Sequence, residues 1–404
     1  MKNCRICNAL TKQFLDLGAT HPPEEFRTKK QLGDKISEYP LGLSFCAECG
    51  QVQLSSKIPP DVMYRQNYFY DYSVTTTGFT HWEDYAKTVI KKYGVGKKDL
   101  VVDIGSNTGT LLLLFKSLGI PILGIDPATK LVKIARKRGV PTIGSYFGAK
   151  AARKAVKNFG QAKVITCNSV FDHVDDLYEY MDGIPILLDP KGIFIVEVPY
   201  FGSMVQTLDH VVYHQQIDYL LVKPFSYLFA KYNMEIVDCQ EFKLHGGSIR
   251  LYMGFKGAHK VSLSVAKTIK KEEKLFKNRE KVLADFAKGI LRQRDDMVLL
   301  LKKLKKQGKS IAAVGASAKG NILLYYSNIG PDVIDFLTEK SSLKIGRYTP
   351  NGIPVVDDKE LIKRQPDYAL LLAWNFQKEI LKNLQEYTKK GGKFIVPIPV
   401  LTII

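Results

Sequence analysis

Cysteine is scarce in this chain. Six cysteines in 404 residues are too few, and too unevenly placed, for the disulfide framework of a small secreted fold. Long apolar runs are missing too: none approaches the roughly 20 residues needed to cross a bilayer. The opening residues, MKNCRICNALTK, lack the apolar stretch of a secretory signal. These absences give the expectation of a cytoplasmic protein with no membrane partner. Acidic residues are in deficit, with 40 Asp+Glu against 59 Lys+Arg and a net charge of +19. That balance suits nucleic acid, a membrane surface or a small polyanion. No RNP, zinc-finger-array or helix-turn-helix signature is present, and much of the excess lies in lysine-rich helical stretches at 267–281 and 302–309. Solvated helix faces account for that excess, and nucleic acid is not expected as a main partner. With 45% hydrophobic and 25% charged residues, the chain has the composition of two or three globular domains.

What cysteine there is clusters. Cys4-Arg-Ile-Cys7 and Cys46-Ala-Glu-Cys49 are two CxxC knuckles, whereas Cys167 and Cys239 sit in apolar, strand-like contexts. Paired knuckles place four thiolates around a zinc ion, and a set of four protein ligands leaves no open position for chemistry. We therefore expect a structural zinc module over 1–62. The residues between its knuckles are polar and carry Pro and Gly, so a small core there would need the metal. A tyrosine-rich stretch with Tyr68 and Tyr70 follows. Its phenols either pack at a domain interface or line a pocket as a lid.

The next signal is VVDIGSNTG at 101–109, followed by an apolar run and then by GIDP at 124–127. A strand, a glycine turn, a helix and a second strand ending in an acid make a nucleoside site. Asp103, Gly105, Ser106, Asn107 and Gly109 bring backbone N–H groups close to a ligand, and Asp126, beside Pro127, offers acceptors to a ribose diol. This set resembles the S-adenosylmethionine (SAM) site of class I methyltransferases. Strand and helix patterns alternate to about residue 200, which implies right-handed βαβ units in a mainly parallel sheet over 63–256. The block from Asn168 through His173 follows a buried strand, where open α/β sheets bind ligands. His173 there faces substrate or caps a helix. Further on, Tyr213-His214-Gln215-Gln216 and the glycine turn after His245 add polar groups. Of His173, His214 and His245, at least one is expected in the cleft.

Residues 261–309 read as one or two basic amphipathic helices. A strand, a small-residue loop and a helix start then recur at 310–321. Lys319 and Asn321 sit where such a loop would hold a phosphate, and Arg347 and Tyr348 lie on a polar loop able to add a cation. The expectation is a second, smaller Rossmann-like domain over 257–404.

The ordered blocks CRIC, CAEC, YFY with His81, DIGSNTGTLL, GIDPA, NSVFDHVDDL, VEVPY, YHQQ, HGGSIRLY, GASAKGN, GRYTP, LLAWNF and VPIP resemble, nearly end to end, the sugar C-methyltransferases that act on nucleotide-linked deoxy-keto sugars. The resemblance implies an α/β enzyme with three parts: a zinc module, a SAM-binding Rossmann-like domain and a C-terminal domain supporting a nucleotide-diphosphate sugar. It implies chemistry through an enolate, with Tyr68, Tyr70, His173, Tyr213 and His214 at the site. In that family the block at 213–216 ends in a glutamate and a base histidine, where this chain has Gln215 and Gln216. A neutral amide hydrogen-bonds a sugar but takes no proton. Three readings stay open: the base is His214, His173 or His245; the acceptor is a nitrogen or oxygen needing little activation; or the chain binds without catalysis. Oligomeric state is not legible.

Overall fold

A computed structural model describes residues 2–65, 76–210, 212–243 and 246–404. Three sheets organise them. The first holds β1 (Thr11–Thr20), β2 (Tyr39–Cys46) and β3 (Val52–Leu54) in antiparallel register, and β9 (Asp218–Tyr219), arriving from far along the chain, pairs with β3. Leu15, Leu17, Leu41, Leu43 and Phe45 are buried in the same apolar cluster as the central sheet. The small metal-dependent core expected for this module is thus part of a much larger one. Its apolar side chains are few, but they alternate along β1 and β2 and present one face to the neighbouring domain.

The central sheet contains β4 (Val101–Ile104), β5 (Ile122–Asp126), β6 (Thr142–Gly144), β7 (Ala162–Asn168), β8 (Leu188–Pro199), β10 (Met234–Phe242) and β11 (Ser248–Phe255). Their spatial order is β10-β11-β8-β7-β4-β5-β6. The strands from β8 to β6 are parallel, and β11 runs antiparallel to both neighbours. The sequence order reverses at β4, so the crevice at its carboxyl end is the natural ligand position. The run after Asp176 begins as the helix Leu177–Leu187. Leu188 pairs with Ala162 and starts β8, so the tail of that run adds to the sheet.

Two basic helices, Leu263–Leu275 and Arg279–Lys306, lead to the third sheet. Ser262 and Asn278 cap them by accepting from backbone N–H groups. This sheet has β12 (Ile311–Val314), β13 (Leu337–Glu339), β14 (Val355–Asp357), β15 (Tyr368–Leu371), β16 (Lys393–Val396) and β17 (Thr402–Ile403), in the order β14-β13-β12-β15-β16-β17. All pairs but β16–β17 are parallel, and the unit has its own apolar core. Among the described residues no helix is long and apolar enough to cross a membrane.

One segment ties these parts together. Between β1 and β2 the chain runs over the C-terminal unit as a strap. Phe26 enters that unit's core, and Arg27 and Tyr348 exchange backbone hydrogen bonds of 2.8 Å. The strap also buries an ion pair, Lys344 Nζ to Glu24 Oε2 at 3.1 Å, with side chains 5% and 3% exposed. Burial raises the Glu24 pKa, and Lys344 opposes the rise. Removing one partner of such a pair strands a charge. Lys344→Ala should cost about 3–5 kcal/mol at neutral pH. A carboxyl with a raised folded pKa loses stability as pH rises and regains it as pH falls through that pKa. The deficit should therefore shrink at mildly acidic pH, as read from urea midpoints; a deficit that grows on acidification would contradict the pairing.

Candidate active site and metal centre

The turn after β4 is built from residues that tolerate unusual backbone. Gly105 has φ +75°, and a Cβ there would come within 2.3 Å of Val170 Cγ2. Asn107 and Gly109 also take positive φ. The turn is held by Asp126 at the end of β5. One carboxylate oxygen accepts from Asn107 N and the other from Ala128 N, both at 2.8 Å. Burial raises the Asp126 pKa, while those two N–H groups pull it back. Asp103 is pushed up to about 7 by burial, with the Thr166 hydroxyl opposing.

A cavity of about 490 Å³ opens here. Gly105, Asn107, Asp126 and Pro127 form one side and Val170, His173, Val174 and Asp175 another. A recess of about 30 Å³ shares Gly105 and Asn107 with it and adds Asp103, Ser106 and Asn168. Ser106 Oγ and both polar atoms of the Asn168 amide are buried with no hydrogen-bond partner among the described residues. Gly109 lines neither space; it starts the helix Thr110–Ser117. Buried polar atoms left open around an acid-ended βαβ turn fit an adenosine ligand with an amino-acid tail.

On the other side, Tyr213 Oη lies 3.4 Å from His173 Nε2, and Asp172 Oδ2 lies 3.5 Å from the same nitrogen. Gln215 and Gln216 are buried, and Gln215 Nε2 and both polar atoms of the Gln216 amide have no hydrogen-bond partner among the described residues. His214 faces elsewhere. Its Nδ1 is 3.4 Å from Thr20 Oγ1, and its Nε2 is 3.2 and 3.3 Å from the carbonyls of Tyr39 and Pro40. Both nitrogens are engaged with the first sheet, and burial pulls the ring down to about 4. That leaves His214 holding fold, not facing the cavity. Tyr68, Tyr70 and His245 lie outside the described residues.

A charged group at a second strand end, Glu197, sits nearby. Glu197 at the end of β8 accepts from Arg250 Nε at 2.6 Å and lies 2.5 Å from His81 Nε2. Burial would raise Glu197, but His81 and Arg250 outweigh it and hold the carboxyl below its usual range. Glu197 and Arg250 are register partners on β8 and β11, a signal readable only once the pairing is known.

The four knuckle cysteines converge. Their sulfurs lie within 4.8 Å of one another, with Cys4–Cys49 and Cys7–Cys46 at 3.5 Å. Zinc–sulfur bonds of about 2.3 Å in a tetrahedron require sulfur separations of roughly 3.8 Å, so the donor set fits zinc with no further ligand.

Residues 4–64 match a zinc binding domain, 83–238 a methyltransferase domain and 243–399 a C-methyltransferase C-terminal domain. The C-methyltransferase NovU of Streptomyces niveus is 32% identical over 364 residues, covering 89% of this chain and 86% of that protein. The chain belongs to the SAM-dependent C-methyltransferase family. A ubiquinone biosynthesis O-methyltransferase of Colwellia psychrerythraea is 30% identical over 95 residues, or 23% of this chain and 39% of that protein. A SAM-dependent methyltransferase structure from Clostridium acetobutylicum shares 14% identity over 44% of this chain and 92% of that one, with a TM-score of 0.34.

In this C-methyltransferase the second glycine turn is filled from within. Ala316 N donates to Glu339 Oε2 at 3.0 Å, and Ser317 Oγ accepts from Gly320 N at 3.2 Å. The strap engages the residues singled out around it. Asn321 Nδ2 donates to the carbonyls of Pro23 and Glu25 at 3.3 Å, Arg347 donates to Phe26 O at 3.4 Å, and Tyr348 pairs with Arg27. Lys319 stands apart. Its ammonium donates to Asn375 and lies 3.7 Å from the centre of the Trp374 ring. The Trp374 indole in turn donates to Asp209 at 3.0 Å. Burial pulls Lys319 down to about 7, with Asp209 resisting.

Two measurements check these sites. The purified enzyme should carry about one equivalent of zinc; less than half would remove the metal assignment. Asp126→Ala should weaken binding of S-adenosylhomocysteine (SAH) about 10- to 100-fold by calorimetry, as lost bonds to a charged group imply. Full affinity in a folded variant would unseat the ribose role.

Proposed function

We propose that this methyltransferase adds a methyl group to the carbon beside a ketone in a nucleotide-diphosphate-linked deoxy-keto sugar. The observation that carries this reading is the Tyr213–His173 pair, with His173 on the same cavity as Asp126 and Pro127. The net charge of +19 suits a diphosphate substrate. The diphosphate lies against Lys319, whose charge burial weakens and a phosphate would restore.

Bound SAM supplies an electrophilic sulfonium methyl, so the protein's tasks are alignment, proton removal and stabilisation of the enolate oxygen. His173 accepts the proton from the α-carbon, and the C–H electron pair becomes the enolate. The Tyr213 phenol donates to the developing oxyanion. Gln215 and Gln216 replace the family's glutamate and histidine, and their amides hold sugar hydroxyls.

Methylation of a nitrogen or oxygen is the second reading. It is favoured by the unpartnered amides of Gln215 and Gln216, which recognise a polar acceptor and deprotonate nothing. Incubation with SAM and a panel of keto-sugar nucleotides should give a C-methyl product by NMR. With SAH in place of SAM, solvent deuterium should enter the α-carbon. His173→Gln should lower kcat about 10²- to 10⁴-fold. A methyl on nitrogen or oxygen, without deuterium exchange, would decide for the second reading.

A further inference from the structure

The first zinc knuckle reaches across the molecule through one side chain. Arg5 lies between Cys4 and Cys7, and its guanidinium is buried, 8% exposed. Its Nε is 3.1 Å from both oxygens of Asp218, its two terminal nitrogens donate to Asp175 O at 2.8 Å and Val174 O at 2.5 Å, and Gln51 Nε2 also donates to Asp218 at 2.8 Å. The carbonyls of Val174 and Asp175 directly follow His173. They sit between the short turn Phe171–His173, to which Val174 N bonds at 3.4 Å, and the cap of the helix Leu177–Leu187; Lys57 Nζ also donates to Asp175 O, at 3.2 Å. The stretch forms a wall of the cofactor cavity. The next knuckle residue repeats the link, since Ile6 O accepts from Tyr178 Oη at 2.6 Å and from Lys231 Nζ at 2.9 Å.

We infer that Arg5 is a positioning residue: it carries the geometry of the zinc knuckle to the 173–176 wall of the SAM cavity, and so couples zinc occupancy to cofactor affinity. A guanidinium suits this work because its planar fork donates in several fixed directions at once. With both flanking cysteines on one ion, the Arg5 backbone is fixed, and the fork fixes the two carbonyls. Without the ion the knuckle relaxes and the wall loses its outer support. The role is indirect, because Arg5 itself does not line the cavity.

The test measures SAH affinity by calorimetry on the full chain and does not depend on the sugar reading. Arg5→Lys keeps a cation beside Asp218 but loses the fork. It should retain one equivalent of zinc and its urea midpoint, while SAH affinity falls about tenfold. Chelating zinc from the unaltered protein should weaken SAH to a similar degree, and should add little in Arg5→Lys, because both changes act through the same link. Zinc-loaded Arg5→Lys that binds SAH like the unaltered protein overturns the inference, as does full additivity of the two losses. If chelation unfolds the chain, the zinc-loaded comparison decides alone. A lowered urea midpoint with intact SAH affinity would assign Arg5 to stability only.

Discussion

Like charges held this close need a cation between them. Four cysteine sulfurs lie within 4.8 Å of one another, and as thiolates they would repel strongly without a metal to share. Much of the rest depends on that constraint. The cluster fixes the first knuckle and the end of β2, and β3 follows directly on the second knuckle. β9 adds to β3, and Ile217, just before it, donates its N–H to Asp172 O at 2.7 Å while Leu54 N bonds back to Ile217 O at 2.9 Å. The loops bearing His173 and Tyr213 are thus both joined to a sheet whose far end holds the metal. A site generally counted as structural stands here one residue layer from the wall of the cavity at His173.

The parts legible in the sequence were local. Paired CxxC knuckles and the turn at 101–109 declare themselves because their chemistry is complete within a few residues. The alternation of strand and helix declared both Rossmann-like sheets for the same reason. What escaped was long-range. His214 sits in a polar run beside Tyr213, yet its ring turns to the carbonyls of Tyr39 and Pro40, and nothing local forecasts that. Asn321, Arg347 and Tyr348 have the residue types of a phosphate loop, but a strap from near the amino terminus engages them. Arg5, between two cysteines, and Arg250, on a strand, show no local sign of the groups they bind. In each case the partner lies far along the chain, and spacing cannot reveal it.

The two amides at 215 and 216 concentrate the chemical question. An acid–base pair can be replaced only if a neighbour takes the proton or if the proton need not be taken. His173 is the described histidine lining the cofactor cavity, with a phenol and a buried carboxyl beside its Nε2. The two neighbours differ in kind, one a phenol and the other a carboxyl. The site therefore has the means to handle a proton even though the family's usual pair is gone.

The strap has a consequence for how the molecule is made. Phe26 is made well before the strands of the core it enters, which run as late as β16. The first sheet likewise waits for β9. At roughly 5–20 residues per second, making the chain from Phe26 to β16 takes about 20 to 75 seconds, and the strap spends that time without all its partners. Synthesis order and folding order are opposed in this chain. The strap is made before the strands that receive it, and until they follow its apolar side chains are exposed to whatever else the cell offers them.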